Sequence, residues 1–408
     1  MISIHWLQRG LLSVCVLFSP LVAYAQTSDW DDWLATQILQ HPDVLAAREQ
    51  WLGSNATADA LEQPLYNPSL SSEVERKGQE RNFRVGVEQT IDWWDQRGAR
   101  QEQARSERIA AEALFRQKSL DKTAEALSAL VEWRAADRAA DIAQAQQSQL
   151  DTLFDLVQRR VQAGDLGGSD AELTFLSLSQ QQTQLTEIEV ALQKAESRVA
   201  ELLPDWTPER GGVPDEFWPA QSETISEKTL LQHPAVATVR ARWQSLKDEA
   251  EVTRRSNKAE PTVGLNAGRD GGQSVVGLTL SIPLNVRNNF SAESRAAERE
   301  ASRAYAQFQA VYRKKRFDWQ AAQKAWQRFD QQYRRWQSVT QNRIENSADL
   351  LKRQWRSGDL STTDYLLALN QRAQSMLAGI ELEKQTKQAL IDVLQESGRL
   401  MNEITLTQ

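Results

Sequence analysis

The chain has 408 residues with 48 basic and 55 acidic side chains, a net charge of −7 and a mean hydropathy of −0.57. Mild acidity argues against a nucleic-acid partner. Few glycines and prolines, 18 and 11, in a sequence rich in Ala, Gln, Arg and Glu, favour long solvated helices over compact globules.

The N-terminus carries Arg9, an apolar run from Leu11 to Val22 and then Ala23-Tyr24-Ala25 before Gln26. This pattern is that of a secretory signal peptide, residues 1–25, cleaved after Ala25. The run is too short for a transmembrane helix, which needs about 20 residues. The single cysteine, Cys15, lies inside it behind a bulky Val14, which disfavours a lipid anchor. The mature chain is thus exported and free of disulfides.

An amphipathic stretch from Trp30 to Leu61 is interrupted at His41-Pro42. Next come two runs of alternating residues, Pro68–Arg76 and Phe83–Ile91, joined by Lys77-Gly78-Gln79-Glu80 and forming a hairpin over 67–92. From 95 to 163 there is no proline and one glycine, Gly98. A helix of that length measures about 100 Å. Its apolar positions Ala113, Leu120, Ala124, Leu127 and Val131 are spaced as a coiled-coil seam. A turn, Ala163-Gly164-Asp165-Leu166-Gly167-Gly168, precedes Ser169, the expected cap of a returning helix over 169–203, and a Pro/Gly-rich connector spans 204–224.

The order then repeats. His41-Pro42 recurs as His233-Pro234, Asn67-Pro68 as Glu260-Pro261, Gly86 as Gly277, and Gly164-Asp165-Leu166 as Gly358-Asp359-Leu360, at offsets of 191 to 194 residues. Landmarks of different types in one order indicate a tandem duplication, with halves 26–203 and 225–408. The second half is expected to hold a hairpin over 260–284, a long helix over 288–356 and a returning helix over 361–400. The second long helix places Tyr305, Tyr312, Trp319, Trp326 and Tyr333 at steps of seven, a face expected to pack on a neighbouring helix rather than to bind a ligand.

Each hairpin has one apolar face. Val85, Val87, Val276, Leu278, Leu280 and Ile282 lie on it, whereas Arg84, Gly86, Glu88, Thr90, Asp92, Thr262, Gly264 and Asn266 lie on the other. The runs approach the ~9–11 residues of a tilted strand crossing a bilayer, and Tyr66, Trp93 and Trp94 sit at strand ends where an aromatic girdle falls. Four strands cannot close a barrel, and an open edge in lipid leaves backbone groups unsatisfied. Chains must then share the barrel. The alternative is a periplasmic coiled-coil adaptor or scaffold whose hairpins close as a soluble β-sandwich.

Architecture over the whole mature chain, together with Gly164 followed by Asp170 and Gly358 followed by Asp364, resembles the TolC-type outer-membrane efflux proteins, or outer-membrane factors. The short chain and lack of a lipid-anchor cysteine look more like their cation-efflux (CzcC-like) branch. The resemblance implies a mainly helical fold with a small β part: a homotrimer with a shared twelve-stranded transmembrane barrel, four strands per chain, continuing into a periplasmic coiled-coil tunnel. It implies the exit duct of a tripartite efflux system, passive and not an enzyme, set in outer-membrane lipid. Its partners would be a periplasmic membrane-fusion adaptor and an inner-membrane pump of the resistance-nodulation-division type. Gly164, Asp165, Leu166, Gly358, Asp359 and Leu360 would dock the adaptor, and Asp364 and Asp170 would gate the tunnel. Where the family's best-known member carries a second lumen-facing aspartate this chain has Leu367, which leaves a single acidic ring from Asp364. No cofactor is implied.

Other chemistry finds little support. His41 and His233, in equivalent His-Pro pairs, lack the cysteine or histidine partners of a metal site and read as helix-start residues. No nucleophile triad or phosphate-binding glycine loop occurs. The run Arg313-Lys314-Lys315-Arg316 reads as a solvated face or a pairing surface for acidic helices.

Overall fold

A computed structural model of the protein describes residues 25–164, 167–219 and 227–400. All but the last residue of the expected signal peptide lies outside the described residues, as do Asp165 and Leu166.

The first half runs α1 (Ala25–Gln40), α2 (Pro42–Glu62), β1 (Ser69–Lys77), β2 (Glu80–Thr90), α3 (Gln96–Gln162) and α4 (Gly168–Leu202). After short 3-10 turns at Pro208–Arg210 and Asp215–Phe217 come α5 (Glu227–Gln232), α6 (Pro234–Ser256), β3 (Thr262–Asp270), β4 (Gln273–Ser281), α7 (Ser291–Trp336), α8 (Asn342–Ser357) and α9 (Thr362–Ser397). His41 and His233 both cap helices whose first residue is proline, accepting from the Asp43 and Ala235 amides at 3.2 and 3.1 Å. Proline suits that position because its missing N–H would be unpaired there anyway.

The coiled-coil seam of α3 is buried at all five expected positions. Leu120, Leu127 and Leu130 pack with Leu34 and Ile38 of α1, Val199 and Leu202 of α4, and Ile391 of α9. Full burial stabilises each such side chain by about 1.5–3 kcal/mol. A second cluster, Leu150, Leu153, Leu178, Tyr365, Leu366 and Leu369, ties α3, α4 and α9 together toward the turns. The basic run is divided: Lys315 pairs with Glu396 of α9 at 2.8 Å and Lys314 with Asp318 at 2.6 Å, while Arg313 and Arg316 are exposed.

The aromatic stripe is a packing face. Tyr305 meets Trp243 of α6, ring centroids 4.9 Å apart, and Trp326 rests on the main core. Tyr333 stacks on Trp336, and the Trp336 indole covers Gly379 of α9 so closely that a Cβ there would lie 2.1 Å from the ring.

The structure departs from expectation at several points. The second long helix contains a π-helical turn at Gln337–Gln341, between α7 and α8. Gly167, not Ser169, caps α4, and it does so without a side-chain bond. Strand β4 ends at Ser281, so Ile282 lies beyond it; Pro283, two residues on, has no N–H to donate to a ladder.

All four strands form one antiparallel sheet in the order β1-β2-β3-β4. The hairpins therefore lie side by side, which removes the soluble sandwich in which they pack face to face. Gly271 and Gly272 both have positive φ, +57° and +79°, the conformation of a two-residue type I′ turn that only glycine adopts cheaply twice in succession.

Candidate functional site: the sheet and the helical turns

Cross-strand register decides the faces of the sheet. Leu70 opposes Val87, Val87 opposes Leu265, and Leu265 opposes Leu278. Val85, Ala267 and Val276 form the next row. One face therefore carries a continuous apolar surface, with Val276, Leu278 and Leu280 74%, 82% and 65% exposed. Val85 and Val87 are on it too; Ile282 is exposed but outside the strand. The opposite face has rows Glu73, Arg84 and Gly268; Ser71, Gly86, Asn266 and Gly277; and Glu88, Gly264 and Thr279. Its polar groups bond one another, as in Asn266 Nδ2 to Thr279 Oγ1 at 3.0 Å and Arg84 to Glu73 at 3.4 Å. The apolar face is thus uncovered within the protomer, and the outer edges of β1 and β4 pair with no strand among the described residues.

At the opposite end of the helices the second turn is well defined. Gly358 is left-handed, φ +84°, and the Asp359 amide donates back to the Gln354 carbonyl at 3.0 Å, closing α8 in a Schellman-type cap. Nothing lies within 4 Å of a Cβ built at Gly164 or Gly358, so backbone conformation and not crowding selects glycine at both. Ser357 Oγ donates to the Asp359 carboxylate at 2.7 Å, and Leu360 leans on the second cluster.

Asp364 lies in the first turn of α9. Its amide donates to Ser361 Oγ at 3.0 Å and its carboxylate accepts from the same hydroxyl at 2.7 Å, so the exposed side chain takes part in the helix cap. Asp170 is the third residue of α4.

Sequence reasoning missed what braces this end. Trp355 stacks on Tyr365, centroids 4.7 Å apart and planes 4° from parallel, and burial raises the Tyr365 hydroxyl above the usual phenol range. Arg160 at the end of α3 donates to Thr362 at 3.4 Å, linking the first turn to the second. The only sequence signal for the stack was two aromatics straddling the glycine turn.

The junction between sheet and helices also has internal order. Asp95 and Phe290, the residues before α3 and α7, are both left-handed with φ 54°, although neither is glycine. Such positions cost of order 1–3 kcal/mol and persist where the surroundings hold them. Asp95 accepts from the Gly98 amide and pairs with Arg255 at 2.7 Å.

This combination of one small sheet and helices near 100 Å is the fold of known outer-membrane channels. The chain is similar to the outer-membrane channel OprN, at 16% identity and a TM-score of 0.75, covering 92% of this chain and 91% of that one. It is similar to the CmeC outer membrane channel of Campylobacter jejuni, at 13% identity and a TM-score of 0.74, over 94% and 92% of the two chains. For CusC, described in terms of folding and transmembrane channel formation, the values are 14%, 0.73, 91% and 92%. No curated protein matches the chain in sequence.

The architecture is therefore that of the TolC-type outer-membrane factors. Residues 34–204 match the family model described as outer membrane efflux protein. These likenesses do not favour the cation-efflux branch over others.

Proposed function

We propose that the protein is the outer-membrane exit duct of a tripartite efflux system, working as a homotrimer. The observation that carries this reading is the sheet: four strands, two free edges and one uncovered apolar face. An uncovered apolar strand surface suits lipid, and free edges in lipid require strands from other copies. Three copies would close a twelve-stranded barrel, with the Ser/Gly/Asn/Thr face lining a water-filled lumen. The helices would continue the lumen through the periplasm, where an adaptor would meet the turns at Gly164–Leu166 and Gly358–Leu360. An inner-membrane pump would supply the energy; the duct would conduct passively.

Within that assembly Asp364 would stand at the narrow end in triplicate. Three carboxylates around an axis repel one another and attract cations, which favours cation passage. Leu367, 67% exposed one turn on, would present an apolar ring where a second acidic one is absent. The test is electrical. Purified protein added to a planar bilayer should give discrete, cation-selective conductance steps that fall in selectivity in Asp364→Asn; protein that binds the bilayer without conducting would rule the duct out.

A further inference from the structure

Pairing of β2 with β3 continues beyond both strands. The Ile91 amide donates to the Pro261 carbonyl at 2.9 Å, extending the register in which Thr90 opposes Thr262. One step further, Asp92 and Glu260 oppose each other on the face that carries the Thr90 and Thr262 hydroxyls, themselves 2.9 Å apart. Side chains so related in an antiparallel pair have Cβ atoms about 4.5–5.5 Å apart. Glu260 is 7% exposed; the Tyr66 hydroxyl and the Asp92 carboxyl are the groups that interact with its carboxyl, and no cation or backbone amide bonds either oxygen.

The surrounding charges do not compensate it. Tyr66, from the connection between α2 and β1, and Asp92, from that between β2 and α3, are the titratable groups facing it; Arg100 of α3 acts on Tyr66. The cations of the flanking segments are engaged elsewhere. Arg97 donates to the Glu62 carbonyl, Arg255 pairs with Asp95, and Lys258 lies over the Trp94 ring at 4.3 Å. Asp92, for its part, accepts from the Gln96 and Arg97 amides at 2.7 and 2.8 Å, where the positive end of α3 suits a carboxylate.

An ionised Glu260 here would be a buried, unpaired charge beside a second carboxylate. Burying an unpaired charge is costly enough that such a group is normally neutralised. We propose that Glu260 is a neutral acid at neutral pH, sharing its proton with Asp92, and that this proton ties the start of β3 to the start of α3 at the junction of sheet and helices. Burial pushes the Glu260 carboxyl above the ordinary carboxylate range; Tyr66 draws it part of the way back, and the charge of Asp92 adds to the rise. The Tyr66 hydroxyl is itself pushed up to about 12, by burial and then by Glu260.

The repeat gives an internal contrast. At the same repeat offset, Asn67 stands for Glu260 and Asn285 for Asp92. Amides need no proton there: Asn285 Nδ2 donates to the Asn257 carbonyl at 2.9 Å. The acid pair therefore occurs where the exit of the first hairpin meets the entry of the second. Since the folded protein raises this acid, the stability it supplies is present at low pH and is lost as pH rises through the folded-state value.

The test uses the full-length protein in detergent or lipid. Infrared spectra should show the carbonyl band of a neutral carboxylic acid at neutral pH, absent in Glu260→Gln. Raising the pH should remove the band and lower the melting temperature of the wild type together, while Glu260→Gln melts without that alkaline loss. In Asp92→Asn, with the neighbouring charge gone, the band should disappear at a lower pH than in the wild type. No band at neutral pH, an equal alkaline loss in Glu260→Gln, or a band unmoved by Asp92→Asn would overturn the proposal. So would a wild-type melting temperature that drops on chelating calcium and magnesium, because a cation would then be the buried partner.

Discussion

Replacing Leu278 by arginine puts a charge on the uncovered face of the sheet, near the middle of β4. The strand has nine residues, Gln273–Ser281, about 30 Å at 3.4 Å per residue, and shorter along the membrane normal when tilted. Arginine on the lipid face at the bilayer midplane costs about 2–4 kcal/mol, falling to about 0–1 near the interfaces. Three copies in a trimer would therefore lose about 6–12 kcal/mol. Thr279, the next residue, points to the opposite face and accepts from Asn266 at 3.0 Å. Thr279→Arg loses that bond, about 0.5–1.5 kcal/mol, but leaves its charge on the polar face, which the proposed trimer would turn to the lumen. In a sheet facing water the comparison inverts, because Leu278 is 82% exposed and a polar replacement at an exposed site changes stability by only about 0.5 kcal/mol either way. The assay is trimer yield in outer-membrane fractions, with urea titration of folding into liposomes. The expected order is wild type, then Thr279→Arg, then Leu278→Arg. If Leu278→Arg assembles as well as Thr279→Arg, the assigned faces are wrong.

Other expectations concern the helices. Gly379→Ala should destabilise the protein by about 1–3 kcal/mol through overpacking, since its Cβ would meet the Trp336 ring at 2.1 Å; thermal melting checks this, and Trp336→Leu in the same chain should recover much of the loss. Ser361→Ala should cost about 0.5–2 kcal/mol as a lost helix cap without altering ion selectivity, whereas Asp364→Asn should alter selectivity, so parallel melting and conductance measurements separate the two roles. His233 is 2% exposed, accepts from the Ala235 amide and contacts the Gln395 carbonyl at 3.1 Å. Burial, and then Lys315, lower its pKa from the ordinary 6.5. A folded state that lowers this value holds its stability above about pH 6.5 and loses it as pH falls toward the folded-state value. Melting temperature should fall on that side in the wild type, and His233→Asn should lack that part of the decline.

Much of the fold was legible because its elements are long and their signals local. Period two marked the strands, seven-residue spacing marked the seam through Leu120 and Leu127, and His-Pro marked two helix starts. What escaped depends on contacts across the fold. The π-helical turn at Gln337–Gln341 contains neither glycine nor proline; it follows Trp336, whose seat on Gly379 lies 43 residues away in sequence. Glu260 was visible as a repeat landmark, but its burial opposite Asp92 depends on the β2–β3 register. The end of β4 was misplaced for a local reason, since the apolar alternation runs on through Leu284 after Pro283 has ended the ladder. Asp364 carries a cap visible in a single chain, whereas the gate proposed for it needs three copies.

The central claim is that the free edges of β1 and β4 meet in neighbouring copies. After the expected cleavage at Ala25 the chain contains no cysteine, so cysteines placed one in β1 and one in β4 report only on that contact. Across a panel of such pairs, oxidation in the membrane should yield dimers and trimers and nothing larger, with the strongest pairs spaced two residues apart along each strand. Monomers throughout, or a ladder extending past the trimer, would contradict the closed three-chain barrel.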